Sequence, residues 1–251
     1  MKQDFETFAN PPIKEVIFSI DVELPNDYPV NELASIHESI QDQFPQIKDI
    51  IEYVKAFHFS RQDEDMPTDS FDKRLTGYLL TDTKEEKAVQ YLCYGFIYNV
   101  VNQYSDGDLF IKECQELWQY YLNIIGEVTV KKISLRYINR IEIPIGNENP
   151  ISDYFDTRPL ISNKLNYSLS NYYMKLMVKD PESGSVGLIT QTIEEEIGGD
   201  SIPFILDVDS SMDCDIKSTD NELWEKVFVL RGFKNELFFN CITDKTKELF
   251  R

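Results

Sequence analysis

Histidine is almost missing from this 251-residue chain; there are two, His37 and His58. Neither has a cysteine or a second histidine at metal-ligand spacing, which argues against a zinc site. Nothing nearby recommends either as the base of a Ser-His-Asp triad. Cysteine is sparse too. Cys93, Cys114, Cys214 and Cys241 lie far apart and form no CxxC pair. The opening MKQDFETFANPP lacks the apolar run of a secretory signal, so buried free thiols and a cytoplasmic location are expected. No stretch approaches the roughly 18 apolar residues that a membrane span needs. With ten glycines in all, the chain has neither a GK[ST] phosphate loop nor a GxSxG elbow. The pair Gly198–Gly199 reads as a turn. Positive charge is the other shortage: 25 basic against 44 acidic residues, a net charge of -19. Such a surface repels phosphate backbones, so nucleic-acid binding is disfavoured. Solubility or a basic protein partner accounts for the excess acid.

What is present is a core. Hydrophobic residues make up 42% and aromatics 13%, too many for disorder and enough, at this length, for one large domain or two ordinary ones. Residues 13 to 24 alternate, with Val16, Phe18, Ile20 and Val22 on one face, as in a half-buried strand. Residues 31 to 52 carry Leu33, Ile36, Ile40, Phe44, Ile47 and Ile51 at roughly helical spacing, with Asn31 as N-cap. AFHFS at 56–60 reads as a strand and 61–72 as a polar loop. Residues 77–82 and 88–101 form a hairpin. Residues 108–125 form an amphipathic helix capped by Asp108 and ended by Gly126. The second half repeats the order: a strand ending at IEIP, a short helix or turn at 149–156, three strands, and a long helix over 221–250 that Gly232 could bend. The two opening strands end alike, VELP and IEIP, and both closing helices contain ELW. The expectation is an α+β fold of two duplicated strand-helix-three-strands-helix units, residues 1–126 and 127–251. Packed as one unit, they would form a curved antiparallel sheet with the long helices on one face. This architecture resembles the saddle of the TATA-box-binding protein, a likeness of shape that transfers no function.

Within LRYINRIEIP at 135–144, alternation puts Leu135, Tyr137, Asn139, Ile141 and Ile143 on one face. Arg136, Ile138, Arg140 and Glu142 lie on the other. Arg136 and Arg140 flank Ile138, about 13 Å apart along the strand. Either they pair with carboxylates of a neighbouring strand such as Asp207 or Asp209, or their forks hold an anionic ligand or a partner's carboxylate. Asn139 needs hydrogen-bond partners if buried. DVDSSMDCD at 207–215 offers Asp207, Asp209 and Asp213, with Asp215 behind, as oxygen ligands for Mg²⁺ or Ca²⁺. A solvated acidic strand is the alternative there, as it is for Glu194, Glu195 and Glu196. In AVQYLCYGFIYNVV at 88–101, Tyr94, Phe96 and Tyr98 share a face, either as core or as an exposed aromatic patch for a partner.

Taken together, NPPIKEVIFSI, RYINRIEIP, LDVD at 206–209 and LRGFKNELFFNCITDKTKELF resemble a sporadically distributed bacterial family of about this length. The RY-x-NR-I motif and the C-terminal helix followed by IT are the more specific parts. The resemblance implies no catalytic residues. The patchy distribution of that family is associated with mobile elements, defence systems and toxin–antitoxin pairs. The resulting expectation is a non-enzymatic interaction or binding module with no cofactor, acting on a protein partner or on a second copy. The alternatives are a metal-assisted hydrolase at 207–215 and a nucleic-acid binder using Lys131, Lys132, Arg136 and Arg140.

Overall fold

The computed structural model describes residues 5–56, 70–144, 151–162, 164, 171–194 and 200–251. These residues form one curved antiparallel sheet of nine strands: β1 (Ile13–Glu23), β2 (Gln46–Ala56), β3 (Ser70–Thr81), β4 (Lys87–Leu92), β5 (Gly95–Val101), β6 (Thr129–Pro144), β7 (Tyr173–Lys179), β8 (Val186–Ile193) and β9 (Ser201–Lys217). The spatial order is β2-β3-β4-β5-β1-β6-β9-β8-β7. Four α-helices accompany it: α1 (Ile36–Ile40), α2 (Gly107–Ile125), α3 (Glu222–Cys241) and α4 (Asp244–Glu248). Short 3-10 turns at Val30–Ser35 and Ile151–Asp153 complete the elements.

Alternation decides which face the helices cover. In β1, Val16, Phe18, Ile20 and Val22 are buried, and they pack with Phe110, Leu117 and Trp118 of α2 and with Leu223, Val227 and Leu230 of α3. In β6 the buried set is Ile133, Leu135, Tyr137, Asn139, Ile141 and Ile143. The other face of the sheet carries Glu15, Ile17 and Ser19 on β1 and Ser134, Arg136 and Ile138 on β6. Helix α2 starts at Asp106, whose carboxylate accepts from the amides of Asp108 and Leu109 at 2.8 and 2.9 Å. It ends at Gly126, whose φ of 75° suits glycine.

Several expectations need correction. The helix expected over 31–52 ends at Ile40, and 46–56 is the edge strand β2. Pro45 stops the helix, and beyond it Ile47 and Ile51 are exposed rather than part of a helical core stripe. The 3-10 turn there begins after Pro29, so Asn31 is not its cap. Asp106, not Asp108, caps α2, because Asp108 reaches across to Arg231. The run 88–101 is two strands, β4 and β5, joined by the two-residue turn Cys93–Tyr94. The first half therefore has one strand more than the second. The closing helix is continuous through Gly232 and breaks at Ile242–Thr243, where the Thr243 side chain accepts from the Thr246 amide and starts α4. All four cysteines are free; Cys114 and Cys241 are buried, whereas Cys93 and Cys214 are only partly so. The proposed strand residues 57–60 with His58, the loop through 69, Gly198–Gly199, and Glu195 and Glu196 lie outside the described residues.

The buried side chains fall into two clusters. The larger joins β1, β3–β5, both long helices and the first part of β6 through Tyr137. The smaller starts at Ile141 and gathers Phe204, Leu206 and Val208 of β9 with Phe238, Cys241, Ile242 and Phe250. On β6 the boundary is Asn139. On α3 the stripe Leu223, Val227, Leu230, Lys234, Phe238, Cys241 crosses the same boundary at Lys234.

Candidate functional site at the junction of the two cores

At that boundary lies a cavity of about 840 Å³. The segment 5–13, the residues leading into α2, β6 and α3 wall it. One end is aromatic. Phe5 stacks on Phe239 with centroids 5.2 Å apart, and Phe8 lies 5.7 Å from the same ring and 5.1 Å from Phe250. Segment 5–13 is strapped down there. Arg251 donates twice to the Glu6 carboxylate (2.9 and 2.7 Å), and the Asn10 amide donates to the Phe250 carbonyl at 2.9 Å.

The other end is polar. Lys234 is 7% exposed, and its Nζ sits 3.6 Å from the centroid of the Tyr137 ring. Among the described residues its ammonium has no hydrogen bond and no ion pair. Burial holds the Lys234 pKa down at about 7, and the nearby Arg231 guanidinium adds to the effect. Arg231 is itself paired with Asp108. The Tyr137 hydroxyl donates to the Tyr104 hydroxyl at 3.3 Å, and burial pushes both phenols up. Asn139 donates both amide hydrogens to backbone, to the carbonyls of Leu206 (2.9 Å) and Tyr137 (3.3 Å). It thus satisfies itself inside an apolar face. An ammonium so placed, with three unused donors, can receive an anionic group or a carbonyl oxygen.

Of the candidate site residues named from the sequence, only Asn139 lines this cavity. Arg136 lies on the other face and grips Asp207 with two bonds, 2.9 and 2.6 Å. That pairing holds the guanidinium pKa up, and burial opposes it. Arg140 binds Glu194 at 2.8 Å and also Glu142. Lys131 bridges Glu23 and Asp215 at 3.1 and 2.8 Å. The basic strand is thus answered by carboxylates. Asp209 stands opposite Arg136 in register, and desolvation raises its pKa despite that neighbour. Asp213 stands opposite Lys132.

The three candidate metal ligands all lie in the extended strand β9. Asp207 and Asp213 are therefore about 20 Å apart along it, too far for all three to converge on one ion. Among the described residues no group of three or more His, Cys, Asp or Glu is placed to hold a metal. The aromatic patch also dissolves. Phe96 and Tyr98 are 0% and 1% exposed under α2, and the Tyr98 hydroxyl donates to Glu113 at 2.7 Å. Tyr94, in the turn, is exposed and donates to Glu52 at 3.2 Å.

Sequence reading missed Lys234, Arg231 and Tyr104. One signal was available for the first. In LWEKVFVLRGFKNELFF a lysine occupies a position whose neighbours four residues away on either side, Leu230 and Phe238, are apolar. No protein-family model matches the chain, and no curated protein matches it.

Proposed function

We propose that this protein is a non-enzymatic binding module and that it holds a small ligand in the cavity between α3 and β6. The observation that carries this is Lys234. A buried ammonium without a counter-charge costs several kcal/mol unless something answers it, and here it borders a volume within the roughly 300–1,000 Å³ typical of ligand sites. The strand order supports the reading of two duplicated halves in a saddle. In each half the last strand, β5 or β9, lies beside the first, β1 or β6, and the two first strands meet at the centre. On that reading the ligand sits where the two units were joined.

Gly232 supplies the test. It lines the cavity, and a Cβ added there meets nothing within 4 Å. A neutral apolar fluorophore, anthracene-9-methanol, should bind the wild-type chain and lose at least tenfold in affinity to Gly232→Trp, with the melting temperature of the variant preserved. Equal binding by both proteins sinks the assignment.

A second reading is self-association through the edge strand β7, favoured by Tyr173 and Met177, which are 68% and 76% exposed on that edge. An open apolar edge is a template for pairing with another copy. Sedimentation velocity should then show a dimer that Met177→Glu abolishes; a monomer at all concentrations refutes it.

A further inference from the structure

The ligand class can be narrowed by counting charges, an inference that rests on the cavity reading above. We propose that the cavity takes an amphiphilic monoanion, a carboxylate on a flat apolar body, with the carboxylate against Lys234 and the body among Phe5, Phe8 and Phe239.

The charged and titratable groups around Lys234 come from every wall. Arg231 is neutralised by Asp108. Asp106 is spent on the first amides of α2, and Glu6 is held by Arg251. Glu236 also lines the cavity, but it is exposed, so water screens its charge. Tyr104 and Tyr137 are held neutral by burial. Among the described residues, the buried charge left without a partner is therefore one ammonium. A single carboxylate balances it. A phosphate monoester, with about 1.5 to 2 negative charges, would leave a buried excess that nothing on the walls answers. Shape agrees with charge. The ammonium and the Tyr104 hydroxyl lie at one end of the cavity, and three phenylalanine rings lie at the other, so a ligand polar at one end and flat at the other meets both. Stacking on such rings favours an aromatic body over a branched one.

The same geometry couples binding to a proton. With its pKa near 7, Lys234 is charged below pH 7, and a carboxylate finds the ammonium already formed. Above pH 7 the free site is increasingly neutral, so binding must draw in a proton. Affinity then falls about tenfold per pH unit until the pKa of the occupied site is reached.

The experiment is isothermal titration calorimetry of the full chain with a matched set of probes: anthracene-9-carboxylate, anthracene-9-methanol and 1-naphthyl phosphate, at pH 6.0 and 8.5, on wild type and Lys234→Met. The carboxylate should bind at least tenfold more tightly than the alcohol at pH 6.0. Its affinity should drop by at least tenfold at pH 8.5 with uptake of close to one proton. Lys234→Met should erase both effects. The wild-type pH comparison stands even if the variant folds poorly. If the alcohol binds and the carboxylate has no advantage, or keeps it in Lys234→Met, the monoanion assignment is wrong and the cavity reading survives. A tighter phosphate also overturns the assignment. If none of the three binds, both fall.

Discussion

The two cores of this protein are built on the same strand and the same helix, yet they are not equivalent. Among the described residues the larger cluster holds twenty-nine buried side chains and the smaller twelve. The larger one is closed by residues of both long helices, α2 and α3. Among the described residues the smaller is covered by the last turns of α3, the short α4, the segment around Tyr154 and Phe155, and the rings of Phe8 and Tyr172. What separates them is one polar residue on each layer, Asn139 below and Lys234 above. A sheet long enough to carry two cores need not fuse them, and a seam left between cores is where a cavity can form.

Removing a large side chain from each core should separate the two most clearly. Phe96→Ala should cost about 3–5 kcal/mol, read by urea denaturation. Phe250→Ala, in the smaller core, should cost less than half of that. Equal costs would mean that the two cores unfold as one.

Filling the seam comes next. Lys234→Met should raise stability near pH 6 by on the order of 3 kcal/mol. The sign follows from the depressed pKa. The unfolded lysine keeps its proton to about 10.4, whereas the folded one loses it near 7. Between these values the unfolded state binds more protons, so wild-type stability rises with pH through that window. The advantage of the variant should shrink over the same range, measured by melting at intervals of one pH unit. A constant advantage would show that the folded lysine is charged throughout.

On the opposite face, Arg136→Ala should cost about 1–2 kcal/mol, because it leaves the largely buried Asp207 carboxylate without its fork. Asp207→Ala should cost less, since Arg136 is 42% exposed and can turn to water. The smallest effect belongs to the caps. Thr243→Ala, at the start of α4, and Asp106→Ala, at the start of α2, should each cost about 1 kcal/mol. If only the Asp106 change lowers the global midpoint, the smaller core frays before the larger one opens.

Much of the sheet was legible in the residues. Period-two alternation in β1 and β6 gave the buried and open faces side chain by side chain, because each of those strands has one face under helices and one without. The same logic put Arg136 on the open face with Asp207 or Asp209 as possible partners, and Asp207 is the one it grips. It failed where periodicity is ambiguous. Ile47 and Ile51 continue a helical spacing, but Pro45 had already ended the helix. In YLCYGF nothing but the paired register of Tyr91 with Phe96 marks the turn. The site was less legible, for a physical reason. Its parts come from residues 5–13, 104–108, 137–139 and 228–239, and no local pattern brings four distant segments to one point. Lys234 alone carried a visible anomaly, a charge on an apolar stripe.

The central pairing of β1 with β6 also sets an order of events during synthesis. Every other neighbour in the first half of the sheet, from β2 to β1, is encoded before residue 102. A five-stranded sheet can therefore close, and α2 can dock on it, while β6 is still unmade. Until it arrives, the outer edge of β1 presents a row of unpaired amides and carbonyls. At about 5–20 residues per second, the stretch from α2 to the end of β6 takes a second or more to appear. Through that interval the nascent chain carries an open edge in what becomes the middle of the finished sheet, and Glu15, Asp21 and Glu23 along that strand are the charges that keep it from pairing with a neighbour.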